Sequence, residues 1–87
     1  MYKVIYDKKF ETKLEKFDNS TKFIILKWIK KHLMNCEDPK SFGKGLKANL
    51  KAYWRYRIGS YRLLVEIKEN ELVIIAIDVE HRSKIYK

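Results

Sequence analysis

The 87-residue sequence contains one cysteine, one proline and only three glycines. The single cysteine, Cys36, excludes an internal disulfide, and unpaired cysteines are typical of the reducing cytoplasm. The longest uninterrupted apolar run covers only residues 72–77, whereas a membrane-spanning helix needs about 20 apolar residues. We therefore expect a cytoplasmic protein that does not interact with a membrane.

Acidic residues are scarce, and two stretches of the chain lack them entirely. Lysine and arginine number 20 against 11 aspartates and glutamates, which gives a net charge of +9. Residues 40–62 and residues 81–87 carry basic side chains and no acid. Because soluble surfaces normally mix both signs, we expect these stretches to form one surface that binds a polyanion, and we favour nucleic acid. The alternative is a generally basic, solvated surface.

The first half of the sequence has the periodicity of two helices. Phe10, Leu14 and Phe17 recur at helical spacing after Asp7, which can cap the first helix. Asn19 or Ser20 can cap the second, and the short connection predicts a helical hairpin with antiparallel helices. The apolar stripe of the second helix comprises Ile25, Leu26, Ile29 and Leu33, with Trp28 beside it.

The second half of the sequence has the alternation of β-strands. Residues 53–58, 61–68 and 72–79 are expected to be strands, joined by tight turns at Gly59-Ser60 and Glu69-Asn70. Residues 2–6 form an N-terminal strand by the same criterion, and residues 35–46 are expected to be a polar loop. The sequence therefore predicts a single α+β domain over residues 1–87: a strand, a helical hairpin and an antiparallel β-meander, with the helices on one sheet face.

Strand alternation places three arginines on one face of the first hairpin. Arg57 is expected directly opposite Arg62, with Arg55 as the diagonal neighbour of Arg62. Opposed like charges destabilise a sheet by up to ~1 kcal/mol. An anion held between the guanidinium groups would offset this repulsion, because arginine binds phosphate bidentately. The alternative is that the arginines extend into solvent or pair with Glu66 and Asp78.

Other residues that could carry chemistry have simpler interpretations. Trp54 and Tyr56 alternate onto the helix-covered face and are interpreted as core, whereas Tyr53 shares the arginine face and could serve either role. His32 and Cys36 have the spacing of two metal ligands, but no third and fourth ligand accompanies them. The sequence has no glycine-rich phosphate loop and no catalytic triad. We expect neither a metal nor another cofactor.

Two segments resemble the RelE family of toxins from type II toxin–antitoxin systems. They are Trp-Arg-Tyr-Arg-Ile-Gly-Ser-Tyr-Arg at 54–62 and Val-Glu-His-Arg-Ser-Lys-Ile-Tyr at 79–86. The order of strand, helical hairpin and meander is similar to that family along essentially the whole chain. The resemblance implies an mRNA interferase, a ribosome-dependent endoribonuclease that cuts mRNA in the A site and inhibits translation. In that reaction the 2′-hydroxyl attacks the neighbouring phosphate and leaves a 2′,3′-cyclic phosphate.

The resemblance also implies the site residues. By motif position they are Arg55, Arg57, Arg62, Arg82 and Tyr86. The archetypal member has lysines where Arg55 and Arg57 stand here, so neither position can supply a lysine as the base. The glycine common before the His-Arg pair of the family is Glu80 in this sequence.

The proton acceptor stays open among several residues. Arginine is a poor base because its pKa exceeds ~12. Tyr86 is our first choice, since neighbouring arginines would lower the pKa of its phenol. The secondary candidates are His81, Lys47 and Lys51. Further RNA contacts are expected from Lys44, Lys47, Lys51, Tyr53 and Lys84.

The implied partners are the ribosome, through rRNA and the A-site mRNA, and a cognate acidic RelB-like antitoxin. We expect the antitoxin to cover apolar side chains on the open face of the meander, namely Val73, Ile75 and Ile77. Two alternatives are a ParE-like toxin that inhibits DNA gyrase on the same fold and a non-catalytic nucleic-acid-binding module.

Overall fold

The computed structural model describes residues 1–48 and 51–81. Two helices follow the first strand, and four strands follow the helices. The elements are β1 (Lys3–Tyr6), α1 (Lys8–Glu15), α2 (Asn19–His32), β2 (Lys44–Ala48), β3 (Lys51–Ile58), β4 (Tyr61–Lys68) and β5 (Val73–His81). The predicted α+β fold class is confirmed.

Each helix begins at an aspartate that accepts a hydrogen bond from the first turn. Asp7 accepts one from the backbone N–H of Lys9 at 3.2 Å, as predicted. Asp18 accepts one from the backbone N–H of Thr21 at 2.9 Å. This bond lowers the pKa of the Asp18 carboxyl, because it stabilises the charged form. The prediction of Asn19 or Ser20 as the second cap is therefore wrong by one or two residues.

The second helix buries a narrower stripe than the sequence predicted. Ile25, Ile29 and Leu33 are fully buried, whereas Leu26 is 37% exposed. Leu26 lies one position round the helix from Ile25, so it points away from the sheet. The Trp28 ring packs against that of Tyr56, with 5.5 Å between centroids, which places α2 on the same sheet face as Tyr56.

The five strands form one sheet in the order β1-β5-β4-β3-β2. The antiparallel meander β3-β4-β5 is confirmed, and β1 joins it as a parallel neighbour of β5. The helices cover the face that carries the buried residues of β4 and β5. These residues are Leu63, Val65, Ile67, Ile74, Ala76 and Val79. Within the described part of the chain, neither helix is long and apolar enough to cross a membrane.

The predicted loop over residues 35–46 ends earlier than expected, because β2 begins at Lys44 and pairs with β3. Residues 44–48 lack the polar–apolar alternation of a strand. A side chain of β3 packs over them and accompanies the pairing. The Trp54 ring lies over Gly45, where an added Cβ would come within 2.6 Å of the indole. Gly45 therefore leaves the space in which the indole packs over β2.

The two turns of the meander differ from each other. Gly59 has a φ of 57° and Ser60 keeps a negative φ, as a type II′ turn requires. The second turn is longer than Glu69-Asn70, because β5 begins only at Val73 and pairs there with Lys68. Leu72, expected in the strand, instead has a φ of 55° in the turn. The strand continues to His81, beyond the predicted end at residue 79.

Candidate functional site

Three arginines lie together on the sheet face that the helices leave open. Arg57 pairs directly with Arg62, and Arg55 pairs with Leu64, which makes Arg55 the diagonal neighbour of Arg62. The predicted hairpin register is confirmed. A fourth cation, Lys44 of β2, pairs with Arg55 from the other side. Two cross-strand pairs of like charge therefore lie side by side, an arrangement that disfavours folding on its own.

These cations surround an open pocket of about 200 Å³. We call it the basic pocket; its lining residues are Lys44, Arg55, Tyr56, Arg57 and Arg62. Lys44 and Arg57 are exposed at its rim, whereas Arg55 and Arg62 are half-buried. The Nη1 atom of Arg62 is shielded from solvent. Arginine donors on a rigid sheet around a cavity of this size are suited to a phosphate group.

A second pocket of about 170 Å³ adjoins the basic pocket and shares Arg55 and Arg62 with it. We call it the mixed pocket, because it also has apolar and acidic walls: Leu46, Leu64, Asp78 and Glu80. Among the described residues, the arginine cluster therefore has one side without acidic residues and one side that faces two carboxylates.

A β-bulge in β5 places these carboxylates beside the arginines. Val65 pairs with Ala76 but Leu64 pairs with Asp78, so Ile77 is the extra residue of the bulge. The one-residue shift brings Glu80 directly opposite Arg62. It also ends the apolar strip that we expected on this face. Val73 and Ile75 are half-buried opposite Lys68 and Glu66, and Ile77 follows them at the bulge.

Lys13 of α1 reaches the same carboxylates from the helix side. Its Nζ atom lies 2.9 Å from Asp78 Oδ1 and also contacts Glu80 Oε2. Burial lowers the pKa of Lys13, but hydrogen bonds to Glu80 and Asp78 outweigh this effect and leave the pKa raised. Lys9, one turn earlier, lies 3.6 Å from Asp78. We did not anticipate Lys13, and its only signal in the sequence is the helical spacing of two lysines.

His81 lies on the other side of the sheet from the arginines. It pairs with Tyr61 across β4 and β5, and the two rings make an edge-to-face contact with 5.1 Å between centroids. Tyr61 in turn packs against Phe17 and the core. The structure thus brings together Arg55, Arg57, Arg62 and Lys44 but places the His81 ring with the helix-side aromatics.

The remaining predicted residues fall into three groups. Tyr53 is half-buried, and its register positions are opposite Leu46 and Glu66 on the arginine side of the sheet. Lys47 and Lys51 have backbone positions in β2 and β3, at the end of that strand pair next to residues 49–50. Arg82, Lys84 and Tyr86 lie outside the described residues.

Trp54 and Tyr56 hold the chain that leads into β2. Trp54 Nε1 donates a hydrogen bond to the carbonyl oxygen of Phe42 at 2.7 Å. The Tyr56 hydroxyl donates one to the carbonyl oxygen of Pro39. Burial raises the pKa of the Tyr56 phenol, so this side chain stays protonated at neutral pH. Tyr56 is therefore a structural residue and not a base.

Among residues 1–48 and 51–81, the structure brings together no cluster of histidine, cysteine and acidic side chains that could hold a metal ion. His32 instead packs against the Trp28 ring, with 4.6 Å between centroids.

Comparison with known proteins gives consistent matches. A family model described as the ParE toxin of the type II toxin–antitoxin system parDE matches residues 4–86. The toxin–antitoxin complex RelBE2 from Mycobacterium tuberculosis contains a chain that is 25% identical, with a TM-score of 0.81 over 93% of this chain and 98% of that chain. The archaeal RelE–RelB complex from Pyrococcus horikoshii gives 20% identity and a TM-score of 0.75, over 95% and 97% of the two chains.

The intact RelBE complex of E. coli shares the fold at a TM-score of 0.68 and 16% identity, over 93% of this chain and 96% of that chain. A search of curated proteins finds no match.

Proposed function

Because this chain belongs to the ParE toxin family of type II toxin–antitoxin systems, it is a toxin of the RelE/ParE superfamily, and we propose that it is a ribosome-dependent endoribonuclease. The predicted relationship is confirmed at the level of this superfamily. The family assignment does not specify this activity. It rests on the arginine cluster of the open sheet face.

The basic pocket is the observation that carries this proposal. Cleavage by 2′-hydroxyl attack passes through a phosphorane with additional negative charge on its non-bridging oxygens. Fixed positive groups stabilise such charge best when they are already in place, and one well-placed donor contributes about 10²–10³ in rate. Arg57 and Arg62 face each other across adjacent strands, so both can contact one phosphate. In our proposal Arg55 adds to the positive electrostatic potential at this phosphate, and Arg82 of the C-terminal segment closes the site.

Proton transfer needs a group other than arginine. The His81 ring packs against Tyr61 on the helix side of the sheet, and the Tyr56 hydroxyl is bound to Pro39. These contacts support Tyr86 as the proton acceptor, with Lys47 and Lys51 as the remaining candidates. Lys44, Tyr53 and Lys84, together with those two lysines, are proposed to contact the RNA on either side of the scissile phosphate.

Dependence on the ribosome follows from the weakness of the available bases. An enzyme with strong electrostatics and a poor proton acceptor gains most from a substrate that is already aligned for in-line attack. Alignment contributes about 7–11 kcal/mol in favourable cases, more than one acid or base supplies. The ribosome would hold the A-site codon in that geometry. A net charge of +9 favours docking on rRNA.

The proposed protein partner is an acidic RelB-like antitoxin. The relatives from M. tuberculosis, P. horikoshii and E. coli are each described as part of a toxin–antitoxin complex. The open sheet face offers half-buried Val73 and Ile75 toward the start of β5 and the cationic cluster toward the opposite end of the sheet. An acidic segment with apolar anchors would complement both features. We further propose that residues 1–87 act as one domain in the cytoplasm.

The test is cleavage of a short mRNA by the purified protein, with and without ribosomes programmed with that mRNA. We expect 2′,3′-cyclic phosphate ends mainly in the ribosome sample. Tyr86→Phe should lower the cleavage rate and leave ribosome binding unchanged, whereas a non-catalytic binding module would not cleave at all. Equal rates with and without ribosomes would show a free-standing ribonuclease instead.

The family description supports one second candidate, inhibition of DNA gyrase, because it names a ParE toxin. Gyrase supercoiling in the presence of the purified protein separates the two activities. Inhibition of supercoiling without mRNA cleavage would replace our proposal by the second candidate.

A further inference from the structure

We propose that Lys13 is a positioning residue of the basic pocket: it binds the carboxylates of Asp78 and Glu80 at the edge of the sheet and thereby preserves the positive potential at Arg62. This inference rests on the proposed function, because it assigns a supporting role at the same anion site. Lys13 lies in α1, far along the chain from the arginines, and lines neither pocket.

The position of Glu80 creates the need for such a residue. The bulge at Ile77 places Glu80 directly opposite Arg62, and both side chains line the mixed pocket. Asp78, opposite Leu64, lines the same pocket. Two carboxylates beside the central arginine would repel a phosphate and attract the guanidinium group away from it. Carboxylates at these two positions weaken the binding of an anion by the surface.

The position of α1 allows Lys13 to compensate for the charge of these two carboxylates. β1 pairs with β5 only as far as Ala76, so the next residues of β5 form an open edge that α1 can approach. Lys13 Nζ lies 2.9 Å from Asp78 Oδ1 and also contacts Glu80 Oε2. One ammonium group thus joins both carboxylates. Asp78 is only 16% exposed, and partly buried charges interact more strongly than surface pairs.

The electrostatics of the ammonium group agree with this contact. The pKa of Lys13 is raised even though burial opposes the charged form, because its hydrogen bonds to Glu80 and Asp78 exceed the cost of desolvation. Lys9 adds a weaker contact to Asp78 at 3.6 Å and is mostly exposed. The cluster as a whole is close to neutral, so Arg55, Arg57, Arg62 and Lys44 dominate the potential of the basic pocket.

The test combines one disruptive variant with its rescue. Lys13→Met keeps the length of the side chain and removes its charge. We expect roughly three- to tenfold weaker binding of a 2′-O-methylated, non-cleavable RNA oligonucleotide, and a similar loss of ribosome-dependent cleavage. Glu80→Gln in the Lys13→Met background should restore most of both, because it removes the carboxylate that Lys13 no longer binds.

The matched control is Lys22→Met. Lys22 also forms a helix salt bridge, at 3.2 Å to Glu15, and has an exposure of 24% against 29% for Lys13. It lies outside both pockets, so its loss should leave RNA binding unchanged. Thermal unfolding of all variants shows how much each change costs in stability.

The outcomes separate the two proposals. If the parent protein cleaves mRNA but Lys13→Met binds RNA as the parent does, the positioning role is overturned. The same conclusion follows if Glu80→Gln restores stability without restoring RNA affinity, since Lys13 is then purely structural. If the parent neither binds nor cleaves RNA, the proposed function fails, and the role of Lys13 at that site fails with it.

Discussion

The two faces of the sheet are built from alternate residues of the same strands and have opposite chemistry. On the helix face, Leu63 and Val65 of β4 are fully buried. On the open face, their neighbours Arg62 and Leu64 are half-buried; Arg62 lines both pockets, and Leu64 lines the mixed pocket. One face follows the usual rule that apolar side chains pack away from water. The other brings together four cations in two opposed pairs, a repulsion that a bound anion would offset.

This difference shows how a small domain separates stability from function. The helix face supplies the apolar burial, and none of the described charged residues is buried there. The open face retains repulsion among Lys44, Arg55, Arg57 and Arg62, which a protein selected only for stability would remove. Strand alternation lets both requirements be met within single strands, because consecutive side chains of a regular strand point to opposite faces.

Removing the central arginine should have the largest effect and should leave the helix face intact. We expect Arg62→Ala to lower ribosome-dependent mRNA cleavage by about 10²–10³ and to abolish growth inhibition on expression. Circular dichroism should show a folded protein. The control is Lys68→Ala, which removes a cation from the same strand at the end distant from the arginine cluster. A folded Arg62→Ala variant that is as toxic as the parent would contradict the assignment of the site.

The adjacent residue tests the opposite face. Leu63→Ala creates a cavity in the core and should lower the free energy of unfolding by about 2–5 kcal/mol. Activity per folded molecule should stay close to that of the parent, since the Leu63 side chain points away from the basic pocket. Chemical denaturation and cleavage assays at low temperature measure the two quantities. A large loss of activity in a fully folded Leu63→Ala sample would show that the two faces are coupled.

A contact outside the sheet should have the smallest effect. The pKa of Asp18 is lowered by its bond to Thr21, so the cap contributes stability above the ordinary aspartate pKa of about 3.9 and loses it as the carboxyl is protonated. Asp18→Ala should therefore lower the melting temperature slightly at pH 7 and less at pH 3. Activity should not change. A constant difference across this pH range would mean that the cap contributes through something other than its charge.

The local features of the molecule were predictable because they depend on neighbouring residues. The Gly59 turn determines the pairing of Arg57 with Arg62, and a cap needs only a suitable side chain before the helix, as at Asp7. The strand β2 was missed because it forms by pairing with β3, with the Trp54 ring packed over Gly45, and its own sequence does not alternate. The sequence also could not predict which side of the sheet His81 occupies, because the bulge in β5 determines it.

The sequence by itself determined the fold class, the basic character of the surface and the arginine hairpin, since periodicity, composition and one tight turn are properties of short segments. Only the tertiary structure decided that Glu80 faces Arg62 and that Lys13 binds Glu80 from α1. The physical reason is that a β-bulge reverses side-chain parity without a clear signal in the sequence. The contact between a helix and a strand edge depends further on how the whole core packs.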